Sequence, residues 1–193
     1  MDSMRIGYAL CGSFCTFSKA IEQMRGLAEA GYAILPIMSQ NAATTDTRFG
    51  KADDFIWEIE DICGRKVLKT IVDTEPIGPK KMLDLLIVAP CTGNTLAKIA
   101  NGITDTSVTM AVKSHLRIGR PVLLAPATND ALAASAQNIG RLLNCKNIYF
   151  VPMRQDDPEN KPSSVVADFS LIPAAALCAL EGRQMQPVLL GNG

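Results

Sequence analysis

Unbroken apolar runs of strand length alternate along this chain with amphipathic segments of helical length. The runs at 85–89 and 122–125 contain no polar residue, which is typical of central strands buried on both faces of a parallel sheet. Further runs predict strands at 5–10, 33–38, 67–72 and 147–151. The pattern therefore predicts a sheet whose central strands are hidden from solvent.

Between these strands, apolar residues recur at the spacing of one helix face. Phe17, Ile21 and Met24 share a face of the first such segment, and Gly31 marks its end. The same reasoning predicts helices at 52–62, 96–100, 107–116, 130–143 and 170–180. Strands that alternate with helices predict an α/β fold. We expect a doubly wound, mostly parallel sheet with helices on both faces, a Rossmann-like or flavodoxin-like three-layer sandwich.

Length and composition fit a single domain that covers residues 1–193. Hydrophobic residues make up 48% and charged residues 20% of the chain, as in ordinary globular proteins. The polar, proline-containing stretch 154–164 predicts a flap, and the helix at 170–180 completes the domain. Nineteen basic residues balance nineteen acidic residues, so nothing favours nucleic acid or an anionic membrane as a partner.

The cysteines and the single histidine argue against a metal site. Six cysteines are present without a Cys-x-x-Cys pair, and His115 is the only histidine. We therefore predict no metal site and expect reduced cysteines in a cytoplasmic protein. No apolar run reaches transmembrane length. His115 is expected at the surface or at a helix end, and not as a catalytic base.

Two of the buried runs end in Ala-Pro, and polar residues follow each pair. Pro90 and Pro126 cannot donate to a sheet ladder, so we expect each to end its strand. In open α/β sheets, ligands bind in the crevice at the carboxyl ends of such strands. Small hydroxyl or amide residues stand at four strand ends, which predicts a ligand with many hydrogen-bonding groups. Each hydroxyl taken alone could equally be a helix cap.

A phosphate group fits these strand ends better than a nicotinamide dinucleotide does. The Gly-x-Gly-x-x-Gly fingerprint is missing, since the first turn offers only Gly12, and Ser39 stands where an acidic residue would hold a ribose. Gly12-Ser13 opens a predicted helix, whose free N–H groups favour an anion. Ser39, Thr92 and Asn94 supply further neutral donors, and no lysine is expected in these loops.

Three motifs and one serine resemble those of the FMN-binding flavoprotein superfamily. Residues 90–105, Pro-Cys-Thr-Gly-Asn-Thr-Leu-Ala-Lys-Ile-Ala-Asn-Gly-Ile-Thr-Asp, resemble its Pro-x-Ser-x-Asn-Thr…Lys-Ile-Ala-x-Gly-x-x-Asp stretch. Residues 125–129 resemble its Ala-Pro-Ala-Met-Asn motif, with Thr128 in place of methionine. Gly12-Ser13 resembles its first phosphate loop, and Ser39 its second-strand serine. The superfamily includes cysteine decarboxylases, flavin prenyltransferases and the B-subunit family of dipicolinate synthase.

The resemblance implies FMN as the cofactor. It implies that the phosphate lies near Ser13, Ser39 and Thr92, with the isoalloxazine ring near the ends of the fourth and fifth predicted strands. The FMN-binding residues implied in this way are Gly12, Ser13, Phe14, Ser39, Cys91, Thr92, Asn94, Thr95 and Ala127. We interpret Cys91 as a small residue packed beneath the flavin and not as a nucleophile, because no base lies beside it in sequence.

Three chemistries remain open at this point. The cysteine decarboxylases carry a catalytic histidine in the loop before the fourth strand, where this chain has Pro76, and the prenyltransferases place an aromatic residue in the late flap, where 158–161 have none. The whole chain most closely resembles the B-subunit family of dipicolinate synthase, which implies an oxidoreductase subunit. The alternatives are a stand-alone FMN-dependent decarboxylase or prenyltransferase, and a flavin-binding subunit without catalysis.

The resemblance to this family implies a partner, a substrate and a setting. The partner is the A-subunit of dipicolinate synthase, which carries the NADP site, and together the two oxidise dihydro- or tetrahydrodipicolinate to dipicolinate in the cytoplasm of a spore-forming bacterium, in the mother cell. A homo-oligomer, a trimer or a dodecamer, is expected. Asn129, Arg154 and Lys161 are candidates for binding the substrate carboxylates, Arg154 as a bidentate fork. Asp105 is a candidate general base, but we favour its interpretation as a helix cap or a structural hydrogen-bond partner, and no catalytic residue is assigned.

Overall fold

A computed structural model describes residues 3–191 of the chain. The strands in this part are β1 (Arg5–Leu10), β2 (Ala33–Met38), β3 (Leu85–Cys91), β4 (Val122–Thr128), β5 (Ile148–Phe150), β6 (Met153–Asp157) and β7 (Lys161–Ala167). The α-helices are α1 (Phe17–Glu29), α2 (Gln40–Thr44), α3 (Ala52–Cys63), α4 (Ile71–Thr74), α5 (Gly93–Ala100), α6 (Ser107–Leu116), α7 (Ala136–Leu143) and α8 (Ile172–Leu180). Short 3₁₀ turns lie at Phe14–Thr16, Glu75–Ile77 and Phe169–Leu171.

The sheet confirms the predicted fold class. Five strands run parallel in the order β2-β1-β3-β4-β5, the order of a flavodoxin-like doubly wound fold. The antiparallel pair β6–β7 joins the end of β4 through β7. None of the described helices is both long and apolar enough to cross a bilayer.

Alternate residues of the central strands supply two separate cores. On β3, Leu85 and Ile87 face the core that includes α1, α3 and α8, whereas Leu86 and Val88 face the core that includes α5, α6 and α7. All four side chains are fully buried. A strand buried on both faces needs apolar residues at every position, which explains why these runs were unbroken in the sequence.

The strand predicted at 67–72 is wrong. Leu68 makes only an isolated bridge to Ile37 at the edge of the sheet. The chain then turns into α4, because the Thr70 hydroxyl accepts from the Asp73 N–H while the Asp73 carboxylate accepts from the Thr70 N–H. This reciprocal capping box stabilises a helix start where the apolar pattern favoured a strand.

The prediction that proline ends both central strands is also wrong. β3 continues through Pro90 to Cys91, with a shift of register after Val88, because the Pro90 carbonyl accepts a hydrogen bond from the Cys11 N–H at 3.1 Å. β4 continues through Pro126 to Thr128 because β7 pairs with its last residues. Proline removes only a donor, so a neighbour that donates to its carbonyl can still extend the strand.

The helix predicted at 130–143 is shorter than expected and begins at Ala136. Residues 130–135 form a turn instead, in which the Asp130 carbonyl accepts from the N–H groups of Ala133 and Ser135 at 3.0 and 3.1 Å. The turn therefore connects the end of β4 at Thr128 to the start of α7.

The polar stretch 154–164, predicted as a flap, is largely a β-hairpin. Most of it belongs to β6 and β7, which leaves only 158–160 as a connecting turn. Gln155 Nε2 donates to the Pro162 carbonyl at 2.9 Å, and the Arg154 guanidinium pairs with Asp168 at 2.8 Å. Cross-strand bonds therefore order a segment whose composition alone was typical of a loop.

Candidate functional site

A cavity of about 730 Å³ opens at the carboxyl ends of β1, β2 and β3. Its walls come from Cys11, Gly12, Phe14, Ser39, Gln40, Asn41, Thr45, Thr92, Asn94, Thr95, Lys98, Asp105 and Thr106. The lining is mostly neutral and polar, with one ammonium group and one carboxylate. The position is the one at which doubly wound sheets bind their ligands.

Three helices begin at the wall of this cavity. Ser39, Thr92 and Thr106 are the N-caps of α2, α5 and α6, and each hydroxyl accepts from the backbone N–H of the third residue of its helix, at 3.3, 3.3 and 3.1 Å respectively. The interpretation of the strand-end hydroxyls as helix caps is thus correct for Thr92, but it is wrong for Ser13, whose side chain makes no cap hydrogen bond, and for Thr128, whose hydroxyl donates to Asp130. Capping also directs the positive ends of three helices at one space, which favours an anionic group there.

A chain of hydroxyl contacts forms the floor between β1 and β3. The Thr92 hydroxyl donates to Thr95 Oγ1 at 3.1 Å, and the Thr95 hydroxyl donates to Cys11 Sγ at 3.2 Å. Burial raises the pKa of the Cys11 thiol to about 11, although the Thr95 contact opposes this shift. Burial also raises the pKa of the Cys91 thiol. Both cysteines therefore stay protonated at neutral pH and offer no thiolate nucleophile.

One wall carries an ion pair that the sequence analysis did not anticipate. Lys98 lies one helical turn after Asn94 on α5, so a lysine lines the cavity from a helix although the strand-end loops themselves supply none. Its ammonium group donates to both oxygens of Asp105 at 2.8 and 2.9 Å. This hydrogen bond and the charge of Lys98 lower the pKa of Asp105, so the carboxylate stays ionised. The pair is nearly neutral as a unit, and the remaining donors of the cavity are uncharged.

The structure brings six of the nine predicted FMN-binding residues together. The cavity lining includes Gly12, Phe14, Ser39, Thr92, Asn94 and Thr95. The other three do not line it: Cys91 and Ala127 are buried in β3 and β4, and Ser13 caps no helix with its side chain. Contacts of these three with a cofactor remain predictions.

Sequence reasoning missed several residues of the wall. They are Gln40, Asn41, Thr45, Lys98 and Thr106. Two signals in the sequence could have identified some of these residues. Ser39 could have been assigned as the N-cap of a short helix that contains Gln40 and Asn41. Thr106 and Thr109 likewise have the three-residue spacing of a capping box, which the structure forms reciprocally.

The proposed carboxylate ligands lie outside the cavity lining, and both cations are already paired. Arg154 binds Asp168, and the Lys161 ammonium binds Asp156 at 3.0 Å, a contact that raises the pKa of Lys161. Asn129 is exposed beyond β4, where its side-chain oxygen accepts from the Ser164 hydroxyl at 3.5 Å. A substrate would have to compete with these partners to recruit either cation.

His115 is not at the surface, which corrects that part of the prediction. It does lie in the last turn of α6, as expected for a helix-end residue, but its side chain is fully buried. Burial, followed by the nearby Arg120 charge, lowers the pKa of His115 to about 4, so the imidazole is neutral at pH 7. It does not line the cavity and offers no base there.

The protein has an α/β fold with a doubly wound sheet, and three helix N-termini converge on the cavity at the carboxyl ends of the strands. Such a cavity suits a phosphorylated cofactor. Residues 1–169 match the Flavoprotein family, and the chain belongs to that family. Over 192 residues it is 43% identical to the dipicolinate synthase B-subunit of Bacillus subtilis (strain 168), covering 100% of this chain and 96% of the relative.

Solved structures agree with this assignment. The crystal structure of the dipicolinate synthase B-subunit from Bacillus halodurans superposes with a TM-score of 0.90 at 42% identity, covering 98% of this chain and 97% of that chain. The FMN-dependent cysteine decarboxylase SpaF superposes with a TM-score of 0.64 at 23% identity, covering 92% and 97%. At this level of identity, the similarity to SpaF shows only that the two proteins share a fold.

Proposed function

We propose that this chain is the FMN-binding subunit of a dipicolinate synthase and forms one domain over residues 1–193. The observation that carries the proposal is the cavity on which the N-termini of α2, α5 and α6 converge. Full-length similarity to the B-subunit of dipicolinate synthase and membership of the Flavoprotein family support it.

The residues of the cavity fit a flavin mononucleotide. Ser39 and Thr92, together with the Gly12-Ser13 turn, supply hydroxyl and N–H groups for the phosphate, and the positive helix ends offset its charge. We place the ring beside Asn94, which lines the cavity; Ala127 is buried in β4 and does not line it, so its contact with the ring is a prediction. FMN, when bound, supplies a two-electron acceptor, and the protein positions the substrate against it.

The reaction assigned to this site is the oxidation of a partly reduced pyridine dicarboxylate. Dihydrodipicolinate becomes dipicolinate by losing two electrons and two protons, and tetrahydrodipicolinate by losing four of each. Asn129 binds one carboxylate, and Arg154 or Lys161 exchanges its present acidic partner for the other. NADP enters through the A-subunit of the synthase, since this chain lacks the dinucleotide fingerprint. The product serves spore formation in the cytoplasm of a bacterial mother cell.

The decarboxylase alternative lacks its key residue in the structure as well. Pro76, at the position of the decarboxylase histidine, lies in a 3₁₀ turn that contributes nothing to the cavity wall. The single histidine of the chain is buried elsewhere. Two alternatives remain, a stand-alone prenyltransferase and a non-catalytic flavin-binding subunit. Activity assays distinguish both of them from the proposed function.

FMN affinity, measured by quenching of flavin fluorescence, tests the cofactor assignment. Ser39→Ala and Thr92→Val each remove a hydrogen bond to a charged group, which is worth about 1.5–3 kcal/mol, so Kd should rise roughly ten- to hundredfold. Thr70→Val is the matched control because Thr70 caps α4, away from the cavity. Wild-type protein that fails to quench FMN would refute the proposal.

The same protein tests the division of labour. Dipicolinate formation should require this chain, its NADP-carrying partner and NADP together. This chain purified without the partner should have the mass of a homotrimer or a homododecamer. Robust dipicolinate formation without the partner would contradict the division. Unchanged turnover by the partner when this chain is withheld would contradict the catalytic role.

A further inference from the structure

A compact hydrogen-bonded cluster joins the end of β4 to the first turn of α5. The Asp130 carboxylate oxygen Oδ1 accepts from the Thr128 hydroxyl at 2.5 Å and from the Ser135 hydroxyl at 2.9 Å. Ser135 is buried, and Thr128 and Asp130 are half-buried. None of the three lines the cavity, so the cluster lies behind the site and not in it.

Gly93, the first residue of α5, packs directly against this cluster. A Cβ built on Gly93 would lie 2.6 Å from Thr128 Oγ1, 2.7 Å from Asp130 Oδ1 and 2.8 Å from Ser135 Oγ. A side chain at Gly93 would force these hydrogen-bonded oxygens to move, so the cluster packs closely against the backbone of the α5 N-terminus. The carboxylate also lies at the positive end of the helix dipole, where a negative charge is stabilising.

The other side of the cluster is tied to the β6–β7 hairpin. The Leu132 N–H, within the turn that Asp130 starts, donates to the Ser163 carbonyl at 3.0 Å. Thr128 itself pairs with Val165 of β7. The turn therefore connects three parts of the proposed site: the hairpin, the end of β4 and the α5 segment that begins at Thr92 and carries Asn94.

We propose that Asp130 is a positioning residue of the flavin site. By holding Thr128 and Ser135 against Gly93, its carboxylate fixes the α5 N-terminus relative to the end of β4, and so sets the separation of Asn94 from Ala127. This inference rests on the proposed FMN site. Asp130 acts through the backbone of α5 and does not touch the cofactor.

The test compares Asp130→Ala with Asp130→Asn. Alanine removes the acceptor shared by two hydroxyls, whereas the asparagine side-chain oxygen can still accept from both. We expect Asp130→Ala to raise the Kd for FMN about tenfold and to change the visible circular dichroism of bound FMN. Asp130→Asn should stay within about threefold of wild type with its dichroism retained. Asp157→Ala is the matched control, since Asp157 accepts hydrogen bonds from Asn160 in the hairpin turn.

Hydrogen exchange of the free protein supplies a readout that does not depend on FMN. The amides of the first turn of α5 should exchange faster in Asp130→Ala than in wild type, and those of α1 should be unchanged. If Asp130→Ala does not fold, Ser135→Ala removes one donor of the cluster and should give a smaller change in the same direction.

The outcomes separate this inference from the proposed function. Wild-type protein that fails to bind FMN contradicts both. Wild-type protein that binds FMN, with Asp130→Ala showing the wild-type Kd, dichroism and α5 exchange, overturns the positioning role alone. A lowered melting temperature with all three of these unchanged would also overturn it, because Asp130 would then only stabilise the fold.

Discussion

Acid should destabilise this protein through the buried imidazole of His115. The side chain is fully buried, and neither ring nitrogen makes a hydrogen bond of normal geometry within residues 3–191. Burial and the charge of Arg120 lower the pKa of His115 from 6.5 to about 4, while the nearby Pro121 backbone and Asp84 carboxylate oppose the shift. The folded state therefore binds the proton less readily than the unfolded state does.

The sign and size of the effect follow from linkage. Because the pKa is lower in the folded state, the contribution to stability is complete above pH 6.5 and is lost as the pH falls towards 4. At 1.36 kcal/mol per pKa unit the whole difference is worth about 3 kcal/mol. Roughly 2 kcal/mol of it should disappear between about pH 7.5 and pH 5.

Urea unfolding of wild type and His115→Leu at these two pH values measures the contribution. Leucine removes the titrating group but keeps an apolar side chain in the site, so the loss of unfolding free energy on acidification should be about 2 kcal/mol smaller in the variant. Each protein is compared with itself, and a constant packing cost of the substitution cancels. Equal losses in both proteins would show that His115 does not couple folding to pH in this range.

Three further substitutions test packing and the hairpin. Gly78→Ala would drive a Cβ into the Ser114 carbonyl oxygen and should lower the free energy of unfolding by about 1–3 kcal/mol. Gly26 lies on α1 with open space around it, so Gly26→Ala should raise the free energy of unfolding by about 0.5–1 kcal/mol. Equal effects of the two substitutions in calorimetry would contradict the packing argument. Arg154→Ala breaks a half-exposed pair with Asp168 and should lower stability by at most about 1 kcal/mol while raising KM; an unchanged KM in an intact complex would rule out its carboxylate role.

Local patterns were sufficient for the fold class. Unbroken apolar runs identified β3 and β4, and the i, i+3, i+4 spacing identified α1, α3 and α6, because burial on two faces or on one stripe leaves a signature of known period. Gly64, directly after α3, adopts the φ of 61° that favours glycine at a helix end. Where a competing local signal was present, as in the capping box at Thr70, the apolar period alone predicted the wrong element.

The hairpin shows the limit of such patterns. Lys161, Pro162 and Ser163 have the composition of a loop, yet they belong to β7 because Val165 and Val166 pair with the end of β4. The partners are more than thirty residues apart in sequence. No residue pattern within 154–164 indicates that this segment will lie beside the end of β4.

The strand-end motifs of the sequence were sufficient to place the candidate site at the carboxyl edge of the sheet. They also identified most of the residues that line the cavity from the ends of β1 and β3. The far wall came only from the tertiary structure, which brings Gln40, Lys98 and Thr106 to one cavity from three different helices and their caps. A strand end is marked by its neighbours in the chain. The helix N-termini converge, and Asp130 meets Gly93 from a distant part of the chain, only because of the strand order and the way each helix crosses the sheet. Packing of the whole domain decides both the strand order and the helix positions.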